Sequence, residues 1–346
     1  MTIFVRPVDH GSESQELLSI LHANLPALPH ERRFDWLYRN NPDGPAWSWF
    51  VCEGPGRVVG TTSLFPRSMW VGDKPKMCGQ VGDFAIASSH RSLGPALLLQ
   101  RATFWPVDQG ALAFCYDCPP HPAGMSTFHR LGMRPNCRID RYALPMRVDR
   151  IALEKLRVAS AFPAAAGNLV LWLGRRWTSR RMAGSLEVSE HVGPFGEEFS
   201  HLDAVIKKPD VIRARRSAAV LNWRYREDPL QQYEVLTARS KGELKAFAVL
   251  RVTSEVVTIV DLFGTELHEA TISLISAIVE RFERTHQTVE AFLATGCESI
   301  GHFLKMSFRL RSEAAHVVAY AKPQGETSLF LQGRPIWAWN QVETRV

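Results

Sequence analysis

Residues Gln80 to Gln100 constrain this chain more than any other stretch. Gln80-Val81-Gly82-Asp83-Phe84-Ala85-Ile86 reads as a buried strand and Ala87-Ser88-Ser89-His90 as a polar turn. A helix then opens on Arg91-Ser92-Leu93-Gly94-Pro95-Ala96. The first N–H groups of a helix have no partner within it and carry the positive end of its dipole, so such a start can bind a pyrophosphate. Gly94 and Ala96 allow close approach of the backbone, Arg91 adds a charge, and Pro95 fits a first turn that needs no N–H from it. An ordinary strand–turn–helix is the plainer reading of the same residues.

Further segments follow in chain order. Thr2 to Asp9 reads as a first strand and its exit turn, followed by a helical pattern with Leu17, Leu18, Ile20 and Leu21 apolar. Val58 to Phe65 and Ser68 to Val71 read as two neighbouring strands of an antiparallel meander, and Gly110 to Tyr116 as a short buried strand. Ser126-Thr127-Phe128-His129-Arg130-Leu131-Gly132-Met133 reads as a late helix with Gly132 as a left-handed C-cap, and Arg134 to Met146 as a closing strand. In this order, with Arg91-x-x-Gly94-x-Ala96 after its strand, residues 1 to about 146 resemble the GNAT (Gcn5-related N-acetyltransferase) superfamily.

The second half repeats the first weakly. Trp36, Tyr38, Arg39 and Pro42 stand in register with Trp223, Tyr225, Arg226 and Pro229 at a single offset. Val257 to Phe263, the apolar helix Ala270 to Phe282, and Gly301 to Phe308 mirror the strand, cradle helix and late helix. With Asp261 aligned on Asp83, Glu269 falls opposite Arg91 and Ile272 opposite Gly94, which removes both the cation and the gap that a pyrophosphate needs. The expected fold class is α/β (α+β), as two tandem GNAT-like domains, each a mixed, mostly antiparallel sheet flanked by helices. The expected boundaries are 1–147 for the domain with the acyl-CoA cradle, 148–185 for an interdomain linker helix region, and 186–346 for a degenerate GNAT-like domain.

Composition agrees with two domains in 346 residues, 45% hydrophobic and 22% charged. No apolar run reaches the roughly 18 residues that span a bilayer, and no secretory signal precedes the first strand, so a cytoplasmic location is expected. Six scattered cysteines read as reduced thiols. Cys115-x-x-Cys118, with His121 nearby, has half the spacing of a zinc site without a second pair, and no metal is expected. Part of the net charge of +6 clusters at Arg175, Arg176, Arg180 and Arg181, around Trp177 and after Trp172; a linker packed between the halves is favoured over membrane contact. Arg213, Arg215 and Arg216 form another basic group, and nothing interleaves with a nucleic-acid motif, so no nucleic-acid partner is expected.

The resemblance implies direct acyl transfer from acetyl-CoA, or another acyl-CoA, to an amine, with Phe84, Ala85, Ile86, Arg91, Ser92, Leu93, Gly94, Pro95 and Ala96 holding the cofactor. The attacking amine must be neutral, so a carboxylate in reach of it is useful. Asp83 is the first candidate, with a buried, backbone-capping role as the plainer reading; Glu53 and Asp117 are weaker candidates. Many members of this superfamily place a Tyr on the late helix to protonate the thiolate. Phe128 stands at that position here, and His129 or Tyr116 would have to substitute. Trp36 and Tyr38 fall where the family folds over its acceptor, which suits a small-molecule or sugar amine, although each is equally a core anchor. A non-catalytic binding protein, or a FemX-like transferase using another activated donor, is the alternative.

Overall fold

The computed structural model describes residues 2–28, 30–119, 122–147, 186–265, 267–333 and 335–338. His121 and the whole 148–185 linker, with Trp172, Trp177 and the four arginines around them, lie outside the described residues. The first half comprises β1 (Ile3–Pro7), α1 (Ser14–Asn24), α2 (His30–Phe34) running into a π-helical turn (Asp35–Arg39), β2 (Trp47–Glu53), β3 (Arg57–Val71), β4 (Lys74–Ile86), α3 (Leu93–Ala102), α4 (Trp105–Asp108), β5 (Phe114–Asp117), α5 (Pro122–Arg130) and β6 (Cys137–Pro145). The second comprises β7 (Glu187–Glu190), α6 (Glu197–Val205), β8 (Val211–Ala214), α7 (Ala218–Tyr225), β9 (Glu234–Ser240), β10 (Glu243–Val252), β11 (Val256–Gly264), α8 (Leu267–Phe282), β12 (Thr288–Ala294), α9 (Ser299–Lys305), β13 (Arg309–Ala321), α10 (Glu326–Gln332) and β14 (Ile336–Trp337).

Both halves share one sheet, ordered β1-β2-β3-β4-β5-β13-β6-β12-β11-β10-β9-β7, with β8 pairing β3 and β14. β4–β5, β11–β12 and β8–β14 run parallel and the other pairs antiparallel. The meander is mostly antiparallel, as its short turns require, and the β4–β5 and β11–β12 pairs need the α3 and α8 crossovers.

The closing strand departs from its expected place. β6 does not lie beside β5. It pairs with β12 on one edge, Thr288 opposite Pro145, and with β13 on the other, Val317 opposite Cys137. β13 takes the place beside β5, with Val318 opposite Asp117 and Ala321 opposite Phe114. Each half thus lends a late strand, β6 or β13, to the other.

A second departure is at Pro66. The two expected strands on either side of it are one continuous strand, β3. Along β3, pairing with β2 stops at Leu64, opposite Trp47, and pairing with β8 starts at Met69, so Pro66 lies where that edge of β3 has no strand partner and its missing N–H costs no ladder bond. Its carbonyl accepts from Asn41 Nδ2 at 2.9 Å.

Each helix buries its apolar stripe on the sheet. α1 and α2 bring Leu17, Leu21, Phe34 and Leu37 onto Phe50 and Phe65, and Trp223 from α7 joins the same cluster. α3 and α4 cover the other face with Leu99, Phe104 and Val107 on Leu64, Val81 and Cys115. In the second half α8 sets Leu274, Ile275 and Ile278 on Leu250, Val257 and Val289.

Candidate active site

The site begins where β4 and β5 separate. They pair only at Gly79–Cys115 and Gln80–Tyr116. Beyond this point β4 continues to Ile86, and its register with β3 shifts between Thr61 and Ser63. The bulge carries Asp83 at a φ of 48°, a left-handed backbone that Asp tolerates better than most residues.

A cleft of about 580 Å³ opens past the bulge, lined by Phe84, Ala85, Ile86, Arg91, Ser92, Leu93 and Ala96, and across from them by Asn24, Leu25, Gly124, Ser126 and Thr127. The helix opens at Leu93, two residues later than expected, after a 3-10 turn at Ser88–His90. Arg91 is exposed on the cleft and its Nε donates to the Ile86 carbonyl at 3.2 Å. Pro95 is buried in the first turn. Gly94 is exposed beside it. A Cβ built there would meet nothing within 4 Å, and its backbone is not left-handed, so nothing within the protein requires glycine at this position.

Asp83 is buried, and both of its oxygens are occupied. Arg33 donates to Oδ1 in a buried ion pair, and Tyr38 Oη donates to Oδ2 at 2.5 Å. This geometry goes against Asp83 as a free base, because both of its oxygens already accept hydrogen bonds from buried side chains. The second half holds Asp261 in the same way. Arg216 donates to both oxygens at 2.9 Å, and Tyr225 Oη donates to Oδ2 at 3.1 Å. Tyr38 is therefore a buried anchor, its phenol pushed well above its ordinary value by burial and then by the Asp83 charge. Trp36 stacks on Trp223 rather than covering a cleft.

The other site residues are scattered around this frame. Phe128 takes the expected position on α5 and is buried against Met125 and Val318. His129, its neighbour, is exposed. Tyr116 is buried on β5, on the sheet face opposite Cys115. Glu53 pairs with His90 at 3.2 Å. Gly132 caps α5 with a φ of 76°, as its sequence context predicts. Asp117 ends β5 where the strands part, half-buried beside Phe104, Phe128 and Tyr320. Desolvation pushes its carboxyl up to about 7.

The second basic group is not a surface patch. Arg213 is buried in an ion pair with Asp203, and Arg216 in one with Asp261. Among the described residues no group of three or more His, Cys, Asp or Glu side chains is placed to hold a metal ion, and no helix is long and apolar enough to cross a membrane.

No protein-family model and no curated protein matches the chain. Solved structures do match. A probable N-acyltransferase from Enterococcus faecalis V583 superposes with a TM-score of 0.67 at 10% identity, covering 93% of this chain and 72% of that one. A GCN5-related N-acetyltransferase from Anabaena variabilis ATCC 29413 gives 0.66 at 12%, covering 92% and 72%. Eis1 from Mycobacterium abscessus gives 0.57 at 10%, covering 92% and 74%. At these identities the likeness is one of backbone rather than of side chains, and over at least 92% of its length the chain has the fold of the GCN5-related N-acetyltransferases.

Proposed function

We propose that this protein is an acyl-CoA-dependent N-acyltransferase, most simply an acetyltransferase, with its donor in the cleft of the first half. Gly94 carries the reading. A glycine that neither its φ nor any neighbour requires, in a helix start whose Leu93 and Ala96 line a 580 Å³ cleft, leaves room for a ligand. The free N–H groups of the first turn of α3 would hold a pyrophosphate with Arg91 beside them, and Phe84 to Ile86 would line the slot for the rest of the donor. Bound acyl-CoA supplies a thioester carbonyl for attack by an amine.

In this reading Asp117, rather than Asp83, accepts the amine proton, directly or through water. A carboxyl near 7 is half ionised at neutral pH, the range that suits a general base. Asp83 positions the bulge that aims β4 at the cleft. Phe128 has no proton to give, so protonation of the departing thiolate falls to Tyr116 or to solvent. Calorimetric titration with acetyl-CoA tests the assignment. One equivalent bound by the wild type, and none by Gly94→Ile, is expected; no binding, or unaltered binding in the variant, would overturn it.

A further inference from the structure

Asp83 and Asp261 are each held by an arginine and a tyrosine, but they differ in backbone and in what lies behind the tyrosine. Asp83 has a φ of 48°, whereas Asp261 is not left-handed. A left-handed non-glycine residue costs free energy and persists where its surroundings over-determine it.

Behind Tyr38 a chain of hydrogen bonds runs towards the surface. Ser63 Oγ donates to Tyr38 Oη at 3.2 Å and lies 2.7 Å from Ser48 Oγ, which in turn lies 2.8 Å from His10 Nε2. A hydroxyl has one proton to give. Tyr38 gives its proton to Asp83 and Ser63 gives its own to Tyr38, so Ser48 donates to Ser63 and His10 donates to Ser48 from Nε2. Every bond in the chain therefore points at the carboxylate, and bonds aligned in this way polarise one another away from water. Ser48, Ser63, Tyr38 and Asp83 are buried, and only His10, at the outer end, is half-buried. Burial, and then the Arg39 charge, holds His10 below its ordinary value, so near neutral pH its ring is uncharged and carries its proton on Nε2.

The second half replaces this chain with apolar packing. Ser48 stands opposite Ser63 across β2 and β3. At the corresponding place Val235 stands opposite Val249 across β9 and β10, and both pack with Tyr225. His191 lies between the first strand and first helix of its half, as His10 does in the other, but it bonds to the Pro194 carbonyl at 3.1 Å. The valines accompany the relaxed aspartate. The serines and histidine accompany the left-handed one, whose following residues, Phe84, Ala85 and Ile86, line the 580 Å³ cleft.

We infer that His10, Ser48 and Ser63 form a positioning relay, which acts through Tyr38 on Asp83 and holds the left-handed bulge that shapes the wall of the first cleft. None of the three lines the cleft itself, so they are positioning residues rather than catalytic ones.

Amide hydrogen exchange of the full chain, read on peptides by mass spectrometry, tests this. Ser48→Val combined with Ser63→Val gives the first half the pair that the second half already has, and removing both partners of a buried hydrogen bond costs the fold little. Exchange over residues 82–87 should quicken about tenfold or more, while residues 257–264, at the matching place in the second half, keep their wild-type rate. His10→Leu, at the half-buried outer end, should quicken the same peptide by a smaller factor. His10→Gln, whose amide can still donate to Ser48, should restore the protection. Unaltered exchange at 82–87 in both the double variant and His10→Leu, an equal rise in both peptides, or a His10→Gln no better protected than His10→Leu would each overturn the relay. With the first cleft as the donor site, the double variant should also bind acetyl-CoA about tenfold more weakly, because a wall that is not held in place must be ordered on binding. That second readout alone rests on the acyl-CoA reading. A wild type that binds no acetyl-CoA would overturn that reading and leave the exchange result standing, whereas equal affinity in wild type and double variant would overturn the relay's hold on the cleft.

Discussion

Trp36 and Trp223 hold each other's backbone. Each indole N–H donates to the other residue's carbonyl, at 2.8 and 2.9 Å, and the two rings stack with centroids 4.9 Å apart. The residues stand 187 positions apart, one on the π-helical turn after α2 and the other on α7, so the contact joins equivalent points of the two halves. Arg67 adds a guanidinium over the Trp223 ring at 4.8 Å.

Replacing Trp223 by Ala should therefore destabilise the whole chain, not only its second half. The expected loss is about 3–5 kcal/mol for the buried ring. Part of that loss comes from the Trp36 carbonyl, which would lose the Trp223 indole N–H. Urea unfolding checks it. A double-mutant cycle with Trp36→Ala should give a coupling of about 1–3 kcal/mol, whereas additive effects would mean that the two rings act independently.

Gly94→Ile should leave Tm within about a degree of wild type, because a Cβ at this exposed position meets no protein atom within 4 Å. The same substitution should abolish acetyl-CoA binding in calorimetry. A variant that unfolds instead would place Gly94 in the core, against its exposure.

The two carboxylates should respond in opposite directions. Asp83→Asn breaks a buried ion pair and leaves the Arg33 charge without a partner, so a loss of about 3–5 kcal/mol is expected. Asp117→Asn should stabilise the protein at alkaline pH. The Asp117 carboxyl is raised to about 7 in the folded protein and lies near the ordinary 3.8 when unfolded. Between those values the folded state holds more protons, so stability falls as pH rises from about 4 to 7 and is lowest above 7. Removing the group should restore of order 2 kcal/mol there and flatten that slope, as denaturant melts at pH 5 and pH 8 would reveal.

If Asp117 is the base, kcat/KM for an accepted amine should rise through about pH 7, and Asp117→Asn should lower it about 10²–10⁴-fold. A pH profile unmoved by the substitution would exclude that role.

The two halves should not fold separately. A fragment of residues 1–147 lacks β13, and a fragment of 186–346 lacks β6, so each leaves long strand edges bare. Expressed alone, each should give poorly dispersed amide spectra; mixed, they should recover a common fold. Native-like spectra from either fragment alone would show that the strand exchange is dispensable.

Much of this arrangement was legible in the sequence because it rests on local rules. The strand, turn and helix from Val81 to Ala102 follow from periodicity, Gly132 from the left-handed cap it provides, and the pairing of halves from two Trp–Tyr signatures. The rest depends on contacts between distant segments. That β13 lies beside β5 has no local mark, since an apolar strand reads the same whichever edge it joins. Asp83 read as a base because a lone acid on a strand does not reveal its partner, and Arg33 lies 50 residues away. Asp117 drew little weight because its carboxyl is raised by burial among residues far apart in the chain, Phe104, Phe128 and Tyr320 beside it.

The place of β13 also sets a timetable for synthesis. β5 is complete at Asp117, but the strand that covers its edge begins at Arg309. At about 5–20 residues per second, a ribosome needs roughly 10–40 s to make the intervening chain, and for that interval the nascent first half has an uncovered strand edge. Holdase chaperones that recognise bare strand edges should therefore associate with ribosome-bound chains arrested between these points and leave once Ala321 has cleared the exit tunnel.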